Sequence, residues 1–393
     1  MAPIGLFLTG CAGSGKSWHA HRFINKCGEN GMLYSIIVIG FTARSIMGYN
    51  NCGYTTVAYA TLIENGTLKV PQILIIEEVG MLSSHEFTKI VRISQSADLI
   101  LLVGDVYQIK PMNGEMFFNC AAWHNMFDTA TVHRFREVDI SLGKKSIILP
   151  KTAPDNKSKI IILLGNKRSN DDELNMFLNQ LRKSLRTRQQ NMAVYTIRHV
   201  LSRKPVCNGD NIVTSHDKFK GVHLFYRREE VHLWNKKCGG LKLNGPCIVT
   251  KNIMSTSSEH MYYARNGENA IVLDVCCPLS TNYDMVSLLL KDCANIEVSM
   301  KTIYYLINGH RWIPDTHIAP GYAITIHRSQ GDTFENGVVV HPKHFPDGCV
   351  FYVAVSRCNT FEGLVIDGTF TEQTLLRGLD DSTIAFINKY DLF

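Results

Sequence analysis

The stretch FLTGCAGSGKSWHAHRF, Phe7–Phe23, decides the fold. Gly10, Gly13, Gly15, Lys16 and Ser17 lie within an eight-residue G-x-x-x-x-G-K-[ST] loop. An apolar strand pattern, Ile4–Thr9, precedes the loop, and a helix-compatible run, Lys16–Asn25, follows it. Glycines at these places let backbone N–H groups converge on phosphate oxygens at the positive end of the following helix. Lys16 then reaches the β- and γ-phosphates, and the Ser17 hydroxyl takes a place on Mg²⁺. The expectation is a nucleoside triphosphate site with Mg²⁺ beside it.

Three further apolar runs, Ser35–Phe41, Gln72–Ile76 and Leu99–Val103, read as buried parallel strands. Strands alternating with helix-compatible segments predict a doubly wound α/β domain that binds its ligand at the strand ends. The run ILIIEEVGML brings Glu77 and Glu78 to one such end. In nucleotide hydrolases with such a loop the first carboxylate of the pair holds Mg²⁺ and the second polarises the attacking water. The first is usually Asp; Glu77 is one methylene longer, a change that the waters retained by Mg²⁺ can absorb.

Kinases, GTPases and many ATPases share those two elements, so the reaction class has to come from elsewhere. LLVGDVYQIKPMNGEMFF sets Gln108 just after the Gly-Asp turn, where its amide can sense a γ-phosphate. TVHRFRE offers Arg134 and Arg136. Towards the other end, GYAITIHRSQGDTFENGVVV gathers Thr325, His327, Arg328, Ser329 and Gln330 ahead of Gly331. Such a cluster of donors suits a phosphate backbone. The apolar strand pattern returns in GVVVH and in VFYVAVS, the latter ending at Arg357.

In this order the motifs resemble those of a superfamily 1 helicase, in the 1B branch of the Pif, RecD-like and Dda-like DNA helicases. That branch reads G-D-x-x-Q-L-P-P, F-R-Q, A-x-T-I-H-K-S-Q-G and Y-V-A-L-S-R where this chain has GDVYQIKP, FRE, AITIHRSQG and YVAVSR. Weaker similarities, FTARSIMGYNNCGYTTVAYA, HLFYRREEVHLWN and ARNGENAIVLDV, fill the gaps between them. The resemblance implies two RecA-like P-loop domains, at 1–137 and at 138–244 with 319–393. It also implies a small SH3-like β-barrel inserted at 245–318. Lys16, Ser17, Glu77, Glu78 and Gln108 would come from the first domain, Arg357 from the second as an arginine finger, and Arg136 as another near the junction. Thr42, Thr325, His327, Ser329 and Gln330 would hold single-stranded nucleic acid, with Gly331 beside the nucleotide.

The implied activity is ATP-driven unwinding of DNA, with 5′-to-3′ polarity taken from the branch. The partners implied are single-stranded DNA, duplex junctions, and replication or recombination proteins. A viral superfamily 1 RNA helicase and an accessory nucleic-acid binder with weak ATPase activity are the alternatives. Relatives usually carry, ahead of the first strand, a short helix whose Gln reads the adenine edge. This sequence opens on the strand, so the expectation is loose base selectivity or a start lying upstream. The segment from Gly48 to Val70 is short for a strand-separating wedge.

The 393 residues suit two or three domains, and a net charge of +6 permits a polyanionic partner without requiring one. The 12 cysteines form no C-x-x-C pair, which favours free thiols in a reducing compartment. No apolar run approaches the roughly 18 residues of a membrane span, so an intracellular protein of cytoplasm or nucleus is expected. The 15 histidines show no ligand spacing, and the four tryptophans read as packing residues.

Overall fold

The computed structural model describes residues 3–29, 36–42, 44–46, 49, 52–111, 113–136, 140–141, 147–148, 158–188, 221–239, 244–250, 318–368, 373–374 and 377–392. Between 250 and 318 it describes the strands alone.

The first sheet is built of β1 (Ile4–Gly10), β2 (Ile36–Gly40), β3 (Gly53–Thr55), β4 (Ile73–Glu77), β5 (Leu99–Val103), β6 (Thr131–Phe135) and β7 (Lys159–Leu163). Its order is β3-β2-β4-β5-β1-β7-β6, and every pairing is parallel. Alternate residues of one strand serve opposite faces. Phe7, Leu74, Ile76 and Leu102 enter one core, while Leu6, Leu8, Ile75 and Leu101 enter the other. A sheet covered on both faces needs the near-continuous apolar runs that the sequence shows. Helix α1 (Lys16–Glu29) covers one face through Ala20, Phe23, Ile24 and Cys27, one helical stripe. The N-terminus of α3 (Ser84–Ile93) is fixed by a Ser83–Glu86 capping box, whereas α2 (Thr56–Glu64) is capped by Thr55.

One boundary differs from the sequence expectation. The first domain does not end at 137: β7 lies between β1 and β6, and α5 (Asp172–Thr187) follows it, after α4 (Ala121–Phe127) earlier in the chain. The apolar KIIIL of β7 joins β6 to β1 and so completes the sheet.

The second parallel sheet comprises β8 (Val222–Phe225), β14 (Ala323–Thr325), β15 (Val338–Val340) and β16 (Leu364–Ile366), in the order β14-β8-β15-β16. Helix α6 (Arg228–Lys237) follows β8. VFYVAVS is not a strand but lies in helix α7 (Gly348–Val355), capped by the Asp347 side chain and buried at all eight positions. A short run that is apolar all round has no period to separate strand from buried helix. The last helix, α8 (Asp381–Tyr390), leaves the second sheet and packs on the first domain. There Phe386 stacks on Phe118 at 4.0 Å and meets Trp123.

Between the parts of the second domain lies an antiparallel sheet of β9 (Pro246–Val249), β10 (Asn269–Cys276), β11 (Tyr283–Leu290), β12 (Asn295–Lys301) and β13 (Ile318–Pro320). Its order, β12-β11-β10-β9-β13, leaves β12 and β13 as edges, so the described pairings give an open sheet where a barrel was expected.

Candidate active site

The glycine-rich loop runs from the end of β1 into α1 at the carboxyl edge of the sheet. Gly13 and Gly15 take φ of 83° and 85°, the left-handed region that suits glycine. Their missing side chains also leave room for the loop after β7: a Cβ at Gly13 would collide with Asn166, and one at Gly15 would lie 2.9 Å from Lys167 Cδ. Lys16 Nζ donates to the carbonyls of Gly10 and Cys11, at 3.0 and 2.9 Å. Burial pushes its pKa below the usual lysine value.

Glu77 closes β4 with its side chain almost wholly buried. Ser17 Oγ donates to its Oε2 at 3.1 Å, and the Tyr49 phenol donates to Oε1. Burial, with the neighbouring Glu78 carboxylate, outweighs these hydrogen bonds and pushes the Glu77 pKa up to about 7. Glu78 is held at φ 50°, ψ 44°, a left-handed conformation that costs a non-glycine residue about 1–2 kcal/mol. The turn directs its carboxylate towards the joint between the two parallel sheets, where it acts electrostatically on both Arg168 and Arg357.

The second domain reaches this edge through α7. Tyr352 Oη accepts from the Ala12 N–H at 2.8 Å and donates to Asp105 Oδ2 at 3.0 Å. Asp105 also accepts from the Tyr107 N–H at 3.1 Å and lies 3.8 Å from the buried Arg182 guanidinium. Burial opposes the charge of Arg182, but Asp105 prevails and holds its pKa above the ordinary value. The loop after β7 adds Arg168: its backbone N–H bonds the Gly13 carbonyl at 3.2 Å, and its Nη1 bonds the Ser356 carbonyl at 2.8 Å. Burial, then the charge of Arg357, pushes Arg168 down to about 9. Burial lowers Arg357 as well. Two guanidiniums beside a phosphate-type loop suit a bound anion.

The predicted residues fall into three groups. Gly10, Gly13, Gly15, Lys16, Ser17, Glu77, Glu78 and buried Gln108 share the carboxyl edge of the first sheet. Arg357 joins them from the second domain, but four of its donations go to the carbonyls of Val353, Ser329 and Asp332 and to Ser356 Oγ. Its guanidinium is thus braced within its own domain, 1% exposed, at the joint. Arg136 does not join them. It is exposed just beyond β6, two strands from β1, and Arg168 occupies the position expected of it. The cue was an arginine soon after KIIIL, since loops at the carboxyl ends of parallel strands carry ligands.

On the nucleic-acid side, Thr325 and His327 are part-exposed, and His327 lies 5.4 Å from the Tyr226 ring. Gln330 is 5% exposed and, among the described residues, neither of its amide atoms has a partner. A buried amide of this kind calls for a partner outside the described residues. Ser329 is fully buried, its hydroxyl committed to the Ile326 carbonyl at 2.8 Å, so it builds the turn and does not face a strand. Thr42 accepts from the Ser45 N–H at 3.2 Å. Gly331 is exposed with open space around it. Among the described residues no group of three or more His, Cys, Asp or Glu could hold a metal, and no helix is long and apolar enough to cross a membrane.

Residues 5–146 match a family model described as an AAA domain. The whole architecture superposes on a Pif1 helicase from Candida albicans with a TM-score of 0.67 at 18% identity, covering 98% of this chain and 95% of the other. The fold is that of the Pif1 helicases. A Bacteroides Pif1 solved with ADP-AlF3 and single-stranded DNA gives a TM-score of 0.64 at 19% identity, over 99% and 94% of the two chains. In sequence, the ATP-dependent DNA helicase Pif1 of Campylobacter jejuni is 23% identical, covering 98% of this chain and 95% of its own length. The Pif1 likeness therefore spans both parallel sheets and the sheet inserted in the second.

Proposed function

We propose that this chain is an ATP-dependent DNA helicase that moves along single-stranded DNA and separates duplex by hydrolysing ATP between its two parallel-sheet domains. The observation that carries the reading is the joint at the mouth of the glycine-rich loop, where Arg168 bonds both the Gly13 carbonyl and, beside Arg357, the Ser356 carbonyl, and Lys16 folds onto the Gly10 and Cys11 carbonyls. Charge that spreads over a transferring phosphoryl group is what such a set of cations stabilises.

ATP would lie with its phosphates along Gly10–Ser17. Lys16, now folded onto its own loop carbonyls, would exchange them for phosphate oxygens. Mg²⁺ fits beside Ser17 and Glu77, whose oxygens stand 3.1 Å apart at the start of α1; when bound it would neutralise charge on the β- and γ-phosphates. Glu78 orients the attacking water, and Gln108 reports the γ-phosphate to the Gly-Asp turn. Arg168 and Arg357 stabilise the transition state. Trp18, 47% exposed with Lys167 Nζ 3.9 Å above its ring, offers a face on which a base stacks.

Loss of the γ-phosphate removes the anion that the two arginines share, so the domains separate and the grip near Thr325, His327 and Gln330 shifts along the strand. The 5′-to-3′ polarity rests on the resemblance alone. Steady-state ATP hydrolysis with and without single-stranded DNA tests the reading. Hydrolysis stimulated by the strand is expected; no hydrolysis in either condition contradicts it, and RNA in place of DNA separates the two helicase classes.

A further inference from the structure

The long carboxylate at position 77 has a partner that the mechanism above does not use. Tyr49 lies between β2 and β3, 4% exposed, with its N–H on the Ile46 carbonyl at 3.0 Å. Its phenol donates to Glu77 Oε1, while Ser17 occupies Oε2. The Tyr49 ring is itself clamped: His21, one turn into α1 from Ser17, stacks on it at 3.9 Å and 6°. A single tyrosine thus connects the loop after β2, the helix that opens on the phosphate loop, and the carboxylate of β4.

Glutamate adds one side-chain torsion and about 1.5 Å of reach over aspartate. A carboxylate with that freedom samples several positions unless a donor holds it. A donor of this kind, one shell out from a metal ligand, orients the ligand and is worth about 10–100-fold in metal affinity or activity.

We propose that Tyr49 is a positioning residue for Glu77, its phenol, locked by His21, holding one carboxylate oxygen so that the other faces Ser17 and the metal. This rests on the ATP-hydrolysing reading above. It implies that the tyrosine and the glutamate act as a pair, and that an aspartate at 77 would not need the phenol because it would not reach it.

The test uses the full chain as wild type, Tyr49→Phe, Glu77→Asp and the double variant. Mg²⁺-dependent binding of mant-ADP is read as a titration against metal concentration, beside kcat and KM for ATP. Tyr49→Phe is expected to raise the Mg²⁺ midpoint about tenfold and to lower kcat similarly. Its mant-ADP affinity in EDTA should stay near wild type, and its thermal midpoint should fall by no more than the few degrees that loss of one buried hydrogen bond costs. In the Glu77→Asp background the same substitution should change the Mg²⁺ midpoint less than about twofold, a coupling visible in the double-mutant cycle. His21→Ala should shift the midpoint in the same direction by less. An unchanged Mg²⁺ midpoint in Tyr49→Phe overturns the proposal, as does an equal loss in the aspartate background. Should wild type hydrolyse no ATP, the hydrolytic reading falls, while the mant-ADP titration still decides the role of Tyr49.

Discussion

Tyr352 and Asp105 meet across the joint between the two parallel-sheet domains, phenol to carboxylate at 3.0 Å, with the Ala12 N–H of the phosphate loop on the same phenol oxygen. Both side chains are buried, Tyr352 at 0% and Asp105 at 3% exposure. One side chain of the second domain therefore touches both the glycine-rich loop and the Gly-Asp turn of the first.

Replacing Tyr352 with Phe removes both hydrogen bonds and leaves the Ala12 N–H without this acceptor. Leaving a buried polar group unsatisfied costs about 1–3 kcal/mol. Thermal melting is expected to fall by a few degrees and strand-stimulated ATP hydrolysis to fall further than basal hydrolysis. Equal loss of both rates would make Tyr352 a packing residue only.

The two arginines are separable from the one that the FRE motif suggested. Arg168→Ala and Arg357→Ala should each keep nucleotide affinity and lose about 10³-fold or more in kcat, the scale of an arginine finger. Arg136→Ala should hydrolyse ATP at the wild-type rate, because its exposed side chain lies beyond β6. A normal rate in Arg168→Ala would remove that residue from the chemistry.

This contrast shows how far the sequence could be read. Strands β1, β2, β4 and β5 were legible because buried parallel strands write themselves as apolar runs. The phosphate loop was legible because its glycines and lysine are local. Strand β7 was not, since it follows the loop-like LPKTAPDNKSK and its place between β1 and β6 is a long-range pairing. Arg168 was hidden with it. Helix α7 was misread because burial on every side erases the helical period. Tyr49 could not be found at all, because only folding sets it against Glu77.

Glu77 makes the nucleotide-free protein sensitive to pH in a stated direction. Its pKa rises from 4.5 to about 7 on folding, through burial and then Glu78. Between those values the unfolded chain releases a proton that the folded chain keeps, so this group removes stability as pH rises from 4.5 to 7. The loss is on the order of 3 kcal/mol. Urea midpoints without nucleotide or metal should therefore fall from pH 5 to pH 8 more steeply in wild type than in Glu77→Gln. Equal slopes would mean that Glu77 is already ionised at pH 5.

Strand binding should be dominated by phosphates, as the donors around Thr325, His327 and Gln330 imply. Affinity for single-stranded DNA is then expected to fall linearly in log–log form with salt, by about 0.7 per phosphate contact. A flat salt profile would assign the grip to base stacking.

On the proposed function, ATP hydrolysed between the two domains drives the chain along DNA. The most direct measurement is strand separation of DNA duplexes carrying a 5′ or a 3′ single-stranded tail, with ATP and Mg²⁺, for wild type and Lys16→Ala. ATP-dependent separation of the 5′-tailed duplex is expected from wild type, and none from Lys16→Ala. Separation that persists in Lys16→Ala, or that wild type achieves on neither tail, would contradict it.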